Sequence, residues 1–286
     1  MLSDWLTRQG IAVLRADDRG TGKSTGDYSK AGLNEFASDA LAAVRFLKQQ
    51  KEIDPKRIGL VGHSEGGIIA PVAANRSFDV SFLVLMAGGA EPMSAAVDFQ
   101  YRALFQSYGA SEAAMAKYFR HQRRVYDILR LERDNAAAEK KISQSIDQLV
   151  KDLTPDETRQ LHFSEAEERG CTAGLFSPEF RSLVNFDPTE ALRKVNCPVL
   201  ALNGSKDLQV EPEKNLALIK AAFAKSGNSR ATVKRLEGLN HLFQTAGDQP
   251  DTHYERIEET IAPLALRAIS EWILSETRLR GSSSLP

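Results

Sequence analysis

Apolar residues fall into two alternating patterns over the first part of this chain. Ile11-Ala12-Val13-Leu14-Arg15-Ala16, Ile58-Gly59-Leu60-Val61 and Phe82-Leu83-Val84-Leu85-Met86 are short, nearly continuous runs rich in branched residues. Runs of this kind, bounded by Gly, Pro and Asp, predict strands buried on both faces. Between them, Phe36, Ala40, Ala43, Val44 and Leu47 recur at helical spacing, and Ile68–Ala74 is a second helix-like stretch. Leu2 to Gln9 reads as a short helix stopped by Gly10. Strand, helix, strand, helix, strand predicts right-handed βαβ units and a parallel sheet.

The pattern changes after Gly88-Gly89. From Met93 to about Phe186 no strand-like run occurs, and Ala95–Tyr108, Ser111–Asp134 and Ala136–Leu153 read as helices. Thr154-Pro155-Asp156-Glu157 and Asp187-Pro188-Thr189-Glu190 carry helix-start signatures, with Pro at the first helical position. Strands return at Pro198–Gly204 and Ala231–Leu236, with helices over Glu213–Lys225 and Ile261–Thr277. The expectation is an α/β core formed by 1–92 and 187–280, a helical cap inserted at 93–186, and a disordered tail at 281–286.

Composition narrows the class. The chain has 286 residues, a net charge of -1, 42% hydrophobic and 26% charged residues. These values are ordinary for a soluble globular protein and give no reason to expect nucleic acid or an anionic membrane as partner. No apolar run approaches the ~18 residues that span a bilayer. Met1–Arg8 has no signal-peptide layout, which gives a cytoplasmic expectation. Cys171 and Cys197 have no metal-ligand spacing, so each is expected to be a buried thiol, with no metal and no cofactor. Gly22-Lys23-Ser24 imitates the end of a phosphate-binding loop, but the glycine required five positions earlier is Asp17.

The chemistry-bearing stretch is Gly62-His63-Ser64-Glu65-Gly66-Gly67, set between the second strand and the helix after it. A Gly-x-Ser-x-Gly turn in that context is a nucleophile elbow. Gly62 and Gly66 would clear space in the tight turn, and Gly67 would allow close helix packing. Ser64 would stand at a helix N-terminus, where backbone amides favour negative charge. Asp207 follows the strand at 198–204 and His241 follows the strand at 231–236, so all three lie at the carboxyl edge of one sheet, where open α/β sheets place active sites. A serine hydroxyl needs a histidine to take its proton, and that histidine needs a carboxylate to fix its tautomer. His121 and His162 lie in the helical insert, His63 should point away from Ser64, and His253 sits in a later polar loop, leaving His241 as base. Asp187 and Glu211 remain rivals to Asp207 for the acid.

Together with Asp18-Arg19-Gly20-Thr21-Gly22-Lys23-Ser24, Gly204-Ser205-Lys206-Asp207 and Gly238-Leu239-Asn240-His241, these motifs resemble the α/β-hydrolase superfamily. Within it the chain is similar to bacterial esterase-like proteins named after serine aminopeptidases or lysophospholipases. The resemblance implies Ser64 as nucleophile, Asp207 as acid, His241 as base and the Glu65 backbone N–H as an oxyanion donor. The family fold has eight strands, and only five are placed here, matching its fourth to eighth. The chain therefore reads either as N-terminally incomplete, which would leave room for a lost leader, or as a rearranged fold; in both cases the loop that supplies the second oxyanion donor is missing. Ile11–Ala16 would lose its usual neighbours and expose an edge or re-pair.

The expected activity is hydrolysis of a small carboxylic ester through an acyl-enzyme on Ser64. The alternatives are a peptidase or amidase with the same triad, or a hydrolase-fold binding protein without activity. Phe99, Phe105 and Phe119 are candidates for lining an acyl pocket. The Glu65 side chain is expected to pair with Arg19, tying the Gly-rich loop to the elbow, or else to face the cleft and select cationic substrates.

Overall fold

The computed structural model describes residues 1–247 and 254–281. In chain order the elements are α1 (Leu2–Arg8), α2 (Leu33–Lys48), β1 (Gly59–His63), α3 (Glu65–Ala74), β2 (Phe82–Met86), α4 (Met93–Ser107), α5 (Glu112–Leu131) and α6 (Asn135–Asp152). They continue with α7 (Pro155–Gln160), α8 (Glu165–Cys171), α9 (Pro178–Val184), α10 (Pro188–Arg193), β3 (Val199–Gly204), α11 (Pro212–Ser226), β4 (Ala231–Leu236) and α12 (Pro263–Gly281). Gly281 ends α12 instead of opening the tail, and residues 282–286 of that tail lie outside the described residues.

The chain forms two compact units. The first comprises Met1–Tyr28, Asn34–Glu91 and Asp187 onward, and holds a four-stranded parallel sheet in the order β1-β2-β3-β4. β2 and β3 are buried along their whole length, because helices cover both faces. Leu83, Leu85, Val199 and Ala201 turn to one face, against Leu41 and Val44 of α2, Ala70 of α3 and Phe223 of α11. Phe82, Val84, Met86, Leu200 and Leu202 turn to the other, against Leu6 of α1 and Ile269 and Trp272 of α12. Two apolar faces explain why these strands read as unbroken hydrophobic runs.

One expectation fails here. Ile11–Ala16 is not a strand; it joins no ladder, and Ala12 to Ala16 are exposed. A strand exists only where a neighbour supplies amides and carbonyls, and no described strand lies beyond β1.

The second unit, Ser29–Leu33 and Pro92–Phe186, is helical among its described residues. After α4, which follows Pro92 without a side-chain cap, its helices start on side-chain caps: Ser111 caps α5, Asp134 caps α6, and Thr154 with Glu157 forms a reciprocal capping box on α7. Phe105, Met115, Tyr118, Phe119 and Leu149 form one core cluster, and Val125, Leu129, Ile142 and Ile146 form another.

Candidate active site

β1 delivers Ser64. Its amide donates to the Met86 carbonyl at 2.8 Å, and Gly67 N–H donates back to the Ser64 carbonyl at 2.9 Å. Between these anchors the chain turns from strand to helix within one residue, forcing Ser64 to φ 53° and ψ −115°. A non-glycine residue there carries backbone strain. The flanking glycines divide the work unequally. A Cβ on Gly62 would lie 2.1 Å from the Gly66 carbonyl oxygen, and one on Gly67 would lie 2.6 Å from Gly88 Cα. A Cβ on Gly66 would meet nothing within 4 Å, so that glycine clears no clash, contrary to the expectation. Ser64 is the N-cap of α3 and Glu65 its first residue, which puts the Glu65 amide in the first turn, where helix amides lack intrahelical acceptors.

β3 and β4 deliver the other two residues. Ser205 N–H donates to the Leu236 carbonyl and Lys206 N–H to the Leu239 carbonyl, both at 2.9 Å. Ser205 Oγ accepts from Gly238 N–H at 2.8 Å, so the turns after β3 and β4 are laced together. Gly204 must lack a side chain, since a Cβ there would sit 2.2 Å from the Leu239 oxygen. Asp207 Oδ1 accepts from the Gln209 and Val210 amides at 2.8 and 2.9 Å, and Oδ2 accepts from His241 Nδ1 at 2.9 Å. Asn203 Nδ2 pins the same turn by donating to the Val210 carbonyl at 2.9 Å. With the Nδ1 proton held by Asp207, the neutral ring keeps its lone pair on Nε2, the form a general base requires.

Asp207 and His241 are thus directly joined. No hydrogen bond joins the Ser64 hydroxyl to His241; the turn at Ser64 and the loop of His241 meet through His63 instead. His63 Nε2–H donates to the His241 carbonyl at 2.9 Å, and the two imidazole centroids are 4.8 Å apart. Burial holds His63 below the ordinary histidine pKa, outweighing its hydrogen bond to that carbonyl. Its role was hidden in the sequence because its partner lies 178 residues away.

The rivals have other duties. Asp187 caps α10 and Glu211 caps α11. His121 bonds Ser145, His162 stacks on Tyr108, and His253 lies outside the described residues. The expected Arg19–Glu65 pair does not form: Arg19 Nε and Nη2 bind the two oxygens of Asp39 on α2, each at 2.7 Å. Asp39 lies on the exposed flank of α2, within reach of the Gly-rich loop, a proximity the linear sequence conceals. Phe105 and Phe119 are in the helical unit's own core, and Phe99 is half-buried on α4. Cys197 is half-buried and Cys171, the last residue of α8, is exposed, so neither is the fully buried thiol expected. Among the described residues no cluster of His, Cys, Asp or Glu could hold a metal ion, and no helix is long and apolar enough to cross a membrane.

The family model for serine aminopeptidase S33 matches residues 1–165, more than half of the chain. The chain belongs to that family of α/β hydrolases. Its sequence is 24% identical to esterase EstD of Thermotoga maritima, in a match covering 94% of this chain and 55% of the esterase. The chain therefore spans about half the length of that relative. Two solved structures share the fold. Est1E of Butyrivibrio proteoclasticus with bound ferulic acid gives a TM-score of 0.51 at 19% identity, covering 97% of this chain and 82% of that one. A monoacylglycerol lipase from Paleococcus ferrophilus gives 0.50 at 19% identity, covering 96% and 88%. The parallel sheet with its elbow between β1 and α3 is the α/β-hydrolase fold.

Proposed function

We propose that this protein is a serine hydrolase that cleaves small carboxylic esters through an acyl-enzyme on Ser64. The observation that carries the reading is the 2.9 Å bond from His241 Nδ1 to a buried Asp207, which leaves Nε2 as base. His241 Nε2 removes the Ser64 proton as Oγ attacks the ester carbonyl carbon. The carbonyl oxygen becomes an oxyanion near the N-terminus of α3, where the Glu65 N–H and the helix dipole oppose its charge. The imidazolium then protonates the leaving alcohol, and the C–O bond breaks. Water, deprotonated by the same nitrogen, attacks the acyl-enzyme, and the carboxylic acid leaves Ser64 Oγ, which recovers its proton. Membership of an esterase-containing family supports the ester as substrate.

The test is turnover of p-nitrophenyl acetate. Ser64→Ala is expected to lower kcat by roughly 10⁴–10⁶. Equal rates for variant and wild type would end the reading. The family's aminopeptidase description favours a second reading, amide cleavage by the same residues. Faster turnover of aminoacyl p-nitroanilides than of p-nitrophenyl esters would select it.

A further inference from the structure

β4 ends at Leu236, and the chain turns back through Gly238 at φ 75°. Leu239 and Thr245 then pair in an antiparallel bridge, and Ala246 N–H donates to the Gly238 carbonyl at 2.8 Å. Residues 240–244 form a closed loop inside that bridge, and the loop carries His241. A base on a loop is only as well placed as the loop is rigid. The side chain of Asn240 braces this one. Asn240 Oδ1 accepts from Leu242 N–H and Gln244 N–H, each at 3.0 Å, and Nδ2 donates to Gln244 Oε1 at 2.9 Å. Its backbone N–H donates to the Gln244 carbonyl and its carbonyl accepts from Phe243 N–H, both at 3.0 Å. All of these bonds close within residues 240–244. Asn240 is 2% exposed, so they are sheltered from competing water.

The bonds set the backbone on the far side of His241. The two amides held by Oδ1 flank Phe243, which sits at φ 60° with its ring wholly buried. A non-glycine residue keeps that conformation only where its surroundings over-determine it. The Phe243 carbonyl in turn accepts from Ala262 N–H at 2.8 Å, tying the loop to the start of α12. His63 supplies the other tie, through the His241 carbonyl. A duty in holding the sheet together does not fit Asn240, because its bonds reach neither β3 nor β4. We propose that Asn240 is the positioning residue of the base: its side chain fixes the loop so that His241 meets Asp207 and can take the Ser64 proton. This deepens the reading of Ser64 as nucleophile, and its kinetic consequences rest on that reading.

The test compares Asn240→Ala with Asn240→Asp on p-nitrophenyl acetate, on the pH plateau of the rate. Alanine leaves both amides without their acceptor and lets the loop relax. A displacement of about 1 Å can cost ~10²-fold in rate, so kcat should fall by roughly 10² with KM within about threefold of wild type. Aspartate keeps an oxygen for both amides, and Gln244 can turn its own amide to donate to the other, so kcat should return to within about tenfold of wild type. Asn240→Ser serves if Asn240→Ala does not fold. A serine oxygen reaches the amide two residues on but not the one four residues on, so its kcat should lie between wild type and a full loss. A second readout is the far-downfield proton resonance of His241 Nδ1–H against Asp207, assigned by its absence in Asp207→Ala. It should broaden or vanish in Asn240→Ala and persist in Asn240→Asp. That signal needs no turnover, so a wild-type protein that cleaves no ester would defeat the Ser64 reading while the resonance still decides the role of Asn240. An unchanged resonance in folded Asn240→Ala, a loss confined to KM, Asn240→Ser at the wild-type kcat, or Asn240→Asp as impaired as Asn240→Ala would overturn the proposal.

Discussion

Asp207 Oδ2 and His241 Nδ1 are 2.9 Å apart, with the carboxylate wholly buried and the imidazole 3% exposed. The other carboxylate oxygen is held by two backbone amides, so Asp207 cannot rotate away from the ring. Asp207→Asn retains the shape but can offer His241 Nδ1 an N–H donor, which favours the wrong tautomer. The expected result is a fall in kcat on the order of 10³–10⁴ with little change in melting temperature. Steady-state kinetics on a p-nitrophenyl ester check it; a loss smaller than tenfold would remove Asp207 from the mechanism.

The two glycines flanking Ser64 should respond oppositely to alanine. Gly62→Ala drives a Cβ into the backbone of the following helix at 2.1 Å and should destabilise the fold by at least ~3 kcal/mol, at the upper end of overpacking costs. Gly66→Ala meets open space within α3 and should keep or raise stability by roughly 0.5–1 kcal/mol. Chemical denaturation of both variants decides this, and equal destabilisation would show that the clash geometry is wrong.

Ser64 trades stability for position. At φ 53° a serine is strained and a glycine is not. Ser64→Gly should therefore be more stable than Ser64→Ala by about 1 kcal/mol, while both lack activity. Thermal melts of the pair measure the difference, and an equal or lower melting temperature for the glycine variant would argue against strain at the elbow.

His63 should give the protein an acid-side stability loss. Its folded-state pKa lies below the ordinary 6.5, so the folded protein prefers the neutral ring and the unfolded chain binds the extra proton. The contribution is complete above pH 6.5 and is lost as pH falls through the lowered folded value. His63→Phe keeps the ring volume but removes the donor to the His241 carbonyl, which should cost about 1–3 kcal/mol at pH 7.5. Melting temperatures taken from pH 7.5 to 5 should fall more steeply for wild type than for His63→Phe; parallel curves would contradict the account.

The legible parts of this protein are those set by local pattern. The apolar runs at Phe82–Met86 and Val199–Gly204 announce strands because both faces are covered, and the stretches Ser111–Asp134 and Ala136–Leu153, free of strand-like runs, announce helices. The meeting of Asp207 and His241 is readable because each follows a strand that ends in a turn at the same edge of the sheet. What the sequence hides is partnership over distance. Ile11–Ala16 has strand composition, but pairing defines a strand, and its side chains do not reveal whether a neighbour exists. Arg19 had several carboxylates to choose from, and the packing of α2 placed Asp39 nearest. His63 looked like a bystander beside Ser64 until folding set its ring under the His241 carbonyl.

The central claim is that Ser64 is a nucleophile activated by His241. Reaction of the folded protein with a fluorophosphonate probe, followed by intact mass and peptide mapping, measures this most directly. The account predicts one adduct per chain, on Ser64, absent in Ser64→Ala and formed much more slowly in His241→Ala. A folded wild-type protein that remains unlabelled, or an adduct on another residue, would contradict it.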